Sequence, residues 1–260
     1  TIRIFDKNPS KSTHSLEEVL DESDFIFLSV PTPSNTDGSI NLSILHSVLG
    51  QINSHGTKDG AVVLVRSTVV PGTTRGFKEE YDNVTFVFNP EFLTERSAKF
   101  DFINQARFIL GGDPEDTQKV ADLFAFRFGC STPVVQTNFE TAEFIKYMNN
   151  CFFATKVSFM NEMRLIADRS NVDWQAAVDG FVRDGRVGHS HVSVPGPDGK
   201  FGFGGSCFPK DIQALIKHAE AVGVNPFVLN GAWQTNLDVR PERDWEKLVG
   251  RAIIKEKEDE

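Results

Sequence analysis

Residues 138–170, NFETAEFIKYMNNCFFATKVSFMNEMRLIADRS, contain neither glycine nor proline, and their apolar side chains recur at helical spacing. We predict one helix of roughly 30 residues here, well beyond the usual mean of about 11–12. A helix of this length commonly links domains or forms a subunit interface. It divides the chain into two parts whose sequence patterns differ.

The part before the long helix alternates short apolar runs with helical patterns. These runs are TIRIF (1–5), DFIFLSV (24–30), AVVLVRS (61–67), VTFVFNP (84–90) and RFILGG (107–112). Strands that are apolar throughout and alternate with helices are typical of a parallel sheet covered on both faces. We therefore predict an α/β fold, with a Rossmann-type parallel sheet domain over residues 1–137.

The part after residue 170 is helical, with one long loop. DWQAAVDGFVRD (173–184), DIQALIKHAEAVG (211–223) and PFVLNGAWQTNL (226–237) carry helical patterns. Residues 185–206 form a loop rich in Gly, Pro, Ser and His, and long loops are often functional. We predict a second, helical domain over residues 138–240 and a charged tail over 241–260.

Composition excludes several classes of function. The formal net charge of -9 argues against nonspecific nucleic-acid binding, which needs Lys and Arg to neutralise phosphates. The cysteines Cys130, Cys151 and Cys207 are far apart and form no CxxC pair, so we expect neither disulfides nor a metal site. No apolar run approaches the ~20 residues of a membrane span, and no signal peptide is visible. We expect a cytoplasmic protein.

The segment GGSCFPKDI, residues 204–212, places Cys207 at a predicted helix start. Pro209 fits the first turn, where its missing N–H costs nothing, and the free N–H groups there favour a thiolate. Asp211 lies on the same helical face, so the pair suits covalent catalysis followed by water activation. The alternative is a buried structural cysteine, with Lys210 and Asp211 on a solvent-exposed surface.

Polar residues on the long helix form a second group of candidates. Lys146 and Asn150 are four residues apart, and Asn161 falls on nearly the same face because eleven residues make about three turns. Such a stripe could hold a sugar hydroxyl or a developing oxyanion. A solvated polar stripe is the alternative.

Further candidates follow the predicted strands. Glu91 and Glu95 lie after one strand, Asp6 after another, and Thr32 and Thr68 close two more. Doubly wound sheets bind ligands at the carboxyl ends of their strands, and an acid there can bond the ribose of a dinucleotide. Loop capping is the alternative for the threonines.

Five segments resemble the UDP-glucose/GDP-mannose dehydrogenase family and occur in the family's order. They are SVPTP (29–33), RSTVVPGTT (66–74), NPEFLTE (89–95), ETAEFIKYMNNCFFATKVSFMNE (140–162) and FGFGGSCFPKD (201–211). The cysteine segment is specific, whereas VPTP alone would be weak. The resemblance runs from about residue 1 to residue 237.

The resemblance implies NAD-dependent oxidation of a nucleotide-sugar C6 alcohol to a carboxylate, in two hydride transfers. It also implies that residues 138–240 form a substrate and dimerisation domain, with a homodimer built on the long helix. Phe208 favours the UDP-glucose branch of the family. A GDP-mannose dehydrogenase and a noncatalytic dimeric scaffold are the alternatives.

The resemblance assigns roles residue by residue. The implied catalytic residues are Cys207 as nucleophile, Lys146 and Asn150 at the oxyanion, Asp211 for proton transfer, Glu91 as general base and Thr68 for holding water. The implied cofactor-side residues are Asp6, Lys11, Thr32, Thr68, Glu95 and Lys210. The implied substrate-binding residues are Phe92, Leu93, Lys146, Asn150, Phe203, Gly204 and Arg186, the last reaching a partner's site.

Two parts of the family pattern are absent from these 260 residues. The sequence contains no GxGxxG turn to cradle the cofactor's diphosphate, and it starts at what resembles the second strand. The C-terminal domain that binds the substrate's nucleotide is also absent. We expect this chain to hold the diphosphate and the nucleotide less firmly than the family does.

Overall fold

The structure, a computed structural model, describes residues 1–93 and 97–254. The chain forms two compact units. Unit 1 consists of Thr1–Thr32 and Leu42–Lys146, and unit 2 of Pro33–Asn41 and Tyr147–Glu260. The predicted long helix is confirmed as α6, Phe139–Arg169, and the boundary between the units falls within it.

Unit 1 contains a five-stranded sheet with helices between its strands. The strands, which lie in chain order across the sheet, are β1 Phe25–Leu28, β2 Val62–Val65, β3 Phe86–Phe88, β4 Phe108–Gly111 and β5 Val134–Thr137. The helices are α1 Leu16–Glu22, α2 Ser43–His55, α3 Thr73–Glu80, α4 Ala98–Ile103 and α5 Pro114–Phe128. The predicted α/β class and Rossmann-type sheet are confirmed.

The sheet is mostly parallel. β1–β2, β2–β3 and β4–β5 are parallel pairs, whereas β3 and β4 pair antiparallel through Phe88 and Gly111. The connection from β3 to β4 contains α4 and turns the chain back, so β4 runs opposite to β3. The apolar pattern predicted the strands but carried no information on this reversal.

The predicted strand at residues 1–5 is wrong. The backbone N–H groups of Thr13 and His14 donate to the Ile4 carbonyl, at 2.8 and 3.1 Å, so this segment bonds to the loop after it. The side chains of Ile2 and Ile4 are 85% and 46% exposed. An apolar alternation becomes a strand only beside a partner, and no strand of the described chain pairs with this segment.

The sheet is buried on both faces. In β2, Val63 and Val65 enter one apolar cluster, whereas Val62 and Leu64 enter the cluster on the opposite face. All four side chains are fully buried. Successive side chains of a strand point to opposite faces of its sheet, and here helices cover both faces.

The start of α6 packs directly against the backbone of β4. A Cβ atom at Gly111 would lie 2.5 Å from the Cβ of Ala142 and 2.8 Å from the Asn138 carbonyl oxygen. A residue with a side chain therefore does not fit at position 111 unless the helix moves. This contact fixes the first turns of α6 on unit 1.

A buried carboxylate from α6 caps α3. Glu143 accepts hydrogen bonds from the backbone N–H groups of Gly72 and Thr74, at 2.6 and 2.7 Å, and is fully buried. Gly72 has a φ of +93°, which favours glycine. Desolvation raises the pKa of Glu143 to about 7, although both N–H groups favour the charged form.

Unit 2 is helical around the remainder of α6. Its other helices are α7 Trp174–Val182, α8 Phe208–Ala221, α9 Phe227–Val239 and a 3₁₀ turn, Asp244–Lys247. These helices confirm the helical patterns predicted after residue 170. The first part of the predicted charged tail packs against the rest of unit 2, since Trp245 and Ala252 are buried. The charge run at 255–260 lies outside the described residues.

Unit 2 also includes residues 33–41, which the chain order alone would assign to the sheet domain. The backbone of Ser34 bonds to Ala252 and Ile254, at 2.8 and 2.9 Å, which attaches this segment to the last described residues of the chain.

Within residues 1–93 and 97–254, none of the helices combines the length and the apolar composition that a membrane span requires.

Glu143 should make the stability of this protein fall as the pH rises from about 4.5 to about 7. Its raised pKa means that the folded chain holds a proton there which the unfolded chain has released. The loss should reach about 3 kcal/mol relative to Glu143→Gln, which does not titrate. Urea unfolding of both proteins at pH 5 and pH 8 measures it.

Glu140→Gln is the matched control, because its exposed partner Arg75 lowers the pKa of Glu140. Because Glu140→Gln keeps Glu143, its stability should fall with pH as that of the unaltered protein does, so that the difference between these two proteins is the same at pH 5 and pH 8. A difference between the unaltered protein and Glu143→Gln that is the same at both pH values would contradict the assignment.

Candidate active site

Two predicted threonines lie together where β1 and β2 end. The Thr32 hydroxyl donates to the Thr68 carbonyl oxygen at 2.9 Å. Next to them, the Ser67 hydroxyl donates to the Val30 carbonyl and accepts from the Val30 N–H, at 2.7 and 3.1 Å. The two loops at this edge of the sheet are thereby tied to each other.

Arg66, which precedes these residues, was missed by sequence reasoning. Its guanidinium donates to Asn89 Oδ1, approaches Glu91 Oε2 at 3.5 Å and lies over the rings of Phe27 and Phe102. Burial lowers the pKa of Arg66. A charged residue directly after an apolar strand was the available signal. Arg66 holds the predicted base, Glu91, at the end of β3.

Lys146 meets the loop that carries Glu91. Its ammonium group donates to the Glu91 carbonyl oxygen and lies 5.4 Å from the ring centroid of Phe92. Arg107 stacks over the same ring at 4.7 Å. The structure thus brings Lys146, Glu91 and Phe92 together within unit 1. Leu93 is half-buried beside them, and Glu95 lies outside the described residues.

Asp6 and Lys11 flank an exposed turn. Asp6 Oδ1 accepts from the Asn8 N–H at 2.7 Å, and Lys11 ends the 3₁₀ turn Pro9–Lys11. Both side chains are exposed. An exposed carboxylate can accept hydrogen bonds from the hydroxyls of a ribose, so Asp6 suits the adenosine end of a dinucleotide.

In unit 2, Cys207 is exposed at the N-cap position of α8. Pro209 lies in the first turn of the helix, as the sequence predicted. Cys151 is buried, and desolvation strongly raises the pKa of its thiol. Of these two unit 2 thiols, only Cys207 is accessible to a substrate.

Asp211 is buried between two partners. Its Oδ1 is 2.5 Å from the Lys210 ammonium, and its Oδ2 accepts from the Asn150 amide at 2.6 Å. Asp211 and Lys210 are 1% and 7% exposed. The alternative that placed these two residues on a solvent-exposed surface is therefore wrong. The start of α8 thus carries the accessible thiol of Cys207 and, one turn later, the Asp211 carboxylate, both oxygens of which have a partner.

The other predicted residues of unit 2 lie in different environments. Phe203 is buried against Phe208 and Trp233, and Gly204 is half-buried beside it. Arg186 is exposed and pairs with Asp184. The described residues contain no cluster of three or more side chains that could hold a metal ion.

Asn161 does not share the predicted ligand-facing stripe with Lys146 and Asn150. It is buried, its amide donates to the Val157 carbonyl at 2.8 Å, and its oxygen accepts from the Gly202 N–H at 2.9 Å. The helical spacing was correct, but the loop before Cys207 occupies this position of the helix.

The family follows from two matches that together cover most of the sequence. Residues 5–126 match the NAD binding domain of the UDP-glucose/GDP-mannose dehydrogenase family, and residues 140–238 match its central domain. The chain belongs to this family. Its NAD binding domain contains the threonine pair and Glu91, and its central domain contains Lys146, Asn150 and Cys207.

Members of the family resemble the chain along most of its length. It is 35% identical over 249 residues to UDP-glucose 6-dehydrogenase AglM of Haloferax volcanii, covering 90% of this chain and 56% of that protein. It is 34% identical over 235 residues to UDP-glucose 6-dehydrogenase of Pseudomonas aeruginosa, covering 86% and 51%.

The fold agrees with solved structures of the family. A UDP-glucose dehydrogenase from Pyrobaculum islandicum matches with a TM-score of 0.75 and 32% identity, over 91% of this chain and 55% of that one. A GDP-mannose dehydrogenase from Pseudomonas aeruginosa matches with a TM-score of 0.61 and 27% identity, over 89% and 55%. The chain spans about half the length of these relatives.

Removing the Asp211 carboxylate should destabilise unit 2 strongly. In Asp211→Asn the Lys210 ammonium stays buried without a counter-charge, which should cost about 3 kcal/mol of unfolding free energy. Lys210→Met should cost a similar amount, and the double variant should recover much of the loss because the charges are removed together. Urea unfolding of the three variants measures these values.

Lys217→Met provides the comparison at an exposed pair on the same helix, Lys217 with Glu220. That change should cost less than about 1 kcal/mol. Losses at Lys210 and Asp211 that simply add in the double variant would show that the two groups do not depend on each other.

Proposed function

We propose that this protein oxidises the C6 alcohol of a nucleotide sugar to a carboxylate, with NAD as the hydride acceptor. The observation that carries the proposal is the exposed Cys207 thiol at the start of α8, one turn from the buried Asn150–Asp211–Lys210 chain. Cys207, Lys210 and Asp211 lie in FGFGGSCFPKD (201–211), the segment whose resemblance to the family is specific.

Cys207 is the proposed nucleophile. Its thiolate adds to the C6 aldehyde and gives a thiohemiacetal, and loss of hydride from that carbon leaves a thioester. Water then attacks the thioester, which releases the carboxylate and returns the thiol. NAD, when bound, accepts a hydride from C6 in each of the two oxidation steps.

The remaining residues stabilise charge and move protons. Lys146 and Asn150 supply a cation and an amide donor for the oxyanion that forms at C6. Asp211 is the proposed group for proton transfer, as the resemblance implies, and the Lys210 ammonium and the Asn150 amide hold its carboxylate in place. Glu91, held by Arg66, serves as the base for hydrolysis, and Thr68 holds the water.

The described residues suit the adenosine end of NAD better than its diphosphate. Asp6 and Lys11 suit the adenosine ribose, and the other described residues on the proposed cofactor side are Thr32, Thr68 and Lys210. Phe92, Leu93, Phe203, Gly204 and Arg186 are proposed for the sugar nucleotide. The described residues offer no glycine-rich turn for the diphosphate.

Turnover should release two NADH per sugar oxidised. With NAD and UDP-glucose we expect a 2:1 ratio, and Cys207→Ser should lower kcat by about 1,000-fold or more, because a serine hydroxyl is a far weaker nucleophile. Absorbance of NADH, with chromatography of the sugar acid, measures both. Cys130→Ser, at another exposed cysteine, should keep full activity.

A panel of UDP-glucose, GDP-mannose and UDP-N-acetylmannosamine identifies the substrate. We propose UDP-glucose, because Phe208 follows the cysteine and the relatives named above include UDP-glucose 6-dehydrogenases. Absence of NADH with every sugar would reject the enzymatic proposal for this chain and favour the noncatalytic scaffold.

We also propose that α6 forms a homodimer. Met148, Phe152, Phe159 and Ile166 are 54%, 63%, 47% and 52% exposed, and their spacing of four and seven residues places them along one side of the helix. A row of large apolar side chains open to water is costly unless a partner covers it.

Phe152→Glu should convert the dimer to a monomer, because it places a charge in the middle of this row. Light scattering after size-exclusion chromatography measures the mass. Phe126→Glu, at a 90% exposed phenylalanine on α5, should leave the mass unchanged. A monomer of the unaltered chain, or a dimer of Phe152→Glu, would refute this role of α6.

A further inference from the structure

The loop before Cys207 is held by side chains instead of by regular secondary structure. Residues 201–206, called the glycine loop here, contain neither helix nor strand. Four polar side chains from α6, α9 and the turn after α9 bond its backbone. They are Asn161, Asn236, Arg240 and Asp244, and together they form the loop cradle.

The two asparagines bond the first half of the glycine loop. Asn161 accepts from the Gly202 N–H at 2.9 Å. Asn236 accepts from the Phe203 N–H at 2.7 Å and donates to the Phe203 carbonyl at 3.0 Å. Both amides are buried, so these bonds replace contacts with water that the loop backbone has lost.

Arg240 and Asp244 bond both ends of the loop. Arg240 is 2% exposed and donates to the Phe201 carbonyl at 3.1 Å and to Asp244 Oδ1 at 2.6 Å. The other oxygen of Asp244 accepts from the Gly205 N–H at 3.2 Å. Gly205 has a φ of +73° and lies two residues before Cys207.

The cradle packs closely against the glycines of the loop. A Cβ atom at Gly204 would lie 2.4 Å from Asp244 Oδ1 and 2.5 Å from Arg240 Nη2. One at Gly202 would lie 2.4 Å from Asn236 Oδ1. A side chain at either position would therefore force the ends of these cradle side chains to move out of their hydrogen-bonded positions.

We propose that Asp244, oriented by Arg240, is a positioning residue for Cys207. Asp244 does not touch the reacting atoms. It fixes the Gly205 peptide and so sets the orientation in which the chain enters α8 and presents the Cys207 thiol. For turnover this inference rests on the proposed function, whereas for the orientation of the thiol it does not.

The chain supplies a matched control in Asp198. Both Asp198 and Asp244 accept from Arg240 at 2.6 Å, and their side chains are 35% and 30% exposed. Only Asp244 also bonds the backbone of the glycine loop. Removing either carboxylate weakens the ion pair of Arg240, but only removal of Asp244 releases Gly205.

The experiment compares Asp244→Ala, Asp244→Asn and Asp198→Ala in a Cys130→Ser background, where Cys207 is the remaining exposed cysteine. The rate of alkylation by iodoacetamide reports the thiol without substrate or NAD. We expect Asp244→Ala to change this rate about fivefold or more, and to lower kcat about 100-fold with KM within about threefold. Thermal unfolding identifies variants that fail to fold.

Asp198→Ala should stay within about twofold of the parent in both measurements, and so should Asp244→Asn, which keeps an oxygen for the Gly205 N–H. Equal effects of Asp244→Ala and Asp198→Ala, or no effect of Asp244→Ala, would overturn the proposal. Equal effects of the two Asp244 variants would overturn the role of the Gly205 bond. If the parent forms no NADH, the proposed function fails while alkylation still tests the positioning role.

Discussion

The carboxylate of Asp211 is removed from water, and the surroundings of Cys207 are organised around that constraint. A buried charge must be paired, and here Lys210 neutralises one oxygen while Asn150 bonds the other. Asn150 comes from α6, so this requirement joins α8 to the long helix. The same turn of α8 leaves the thiol of Cys207 accessible.

The elements that sequence patterns predict best are those whose signal is local. The absence of Gly and Pro over 33 residues predicts α6, and the uninterrupted apolar residues of β2 predict a strand buried on both faces. TIRIF shows the limit of this reasoning, because its apolar pattern does not reveal whether a neighbouring strand is present.

Parts of the candidate site depend on contacts between distant residues, and these could not be predicted from one sequence. Arg66 meets Glu91 across 25 positions, and Gly205 meets Asp244 across 39. The type and place of Cys207 and Asp211 were evident from GGSCFPKDI alone. The reason for a glycine at position 204 was not evident, because that reason is the close packing of Arg240 and Asp244 against the loop.

The continuity of α6 constrains how this sequence can evolve. Lys146 and Asn150 are one turn apart on a helix whose start is fixed against β4 at Gly111. Inserting or deleting a single residue between them would rotate Asn150 by about 100° and withdraw its amide from Asp211. Point substitutions can accumulate in this part of the chain, but insertions and deletions cannot. Insertions and deletions among relatives should therefore fall in the loops on either side of α6.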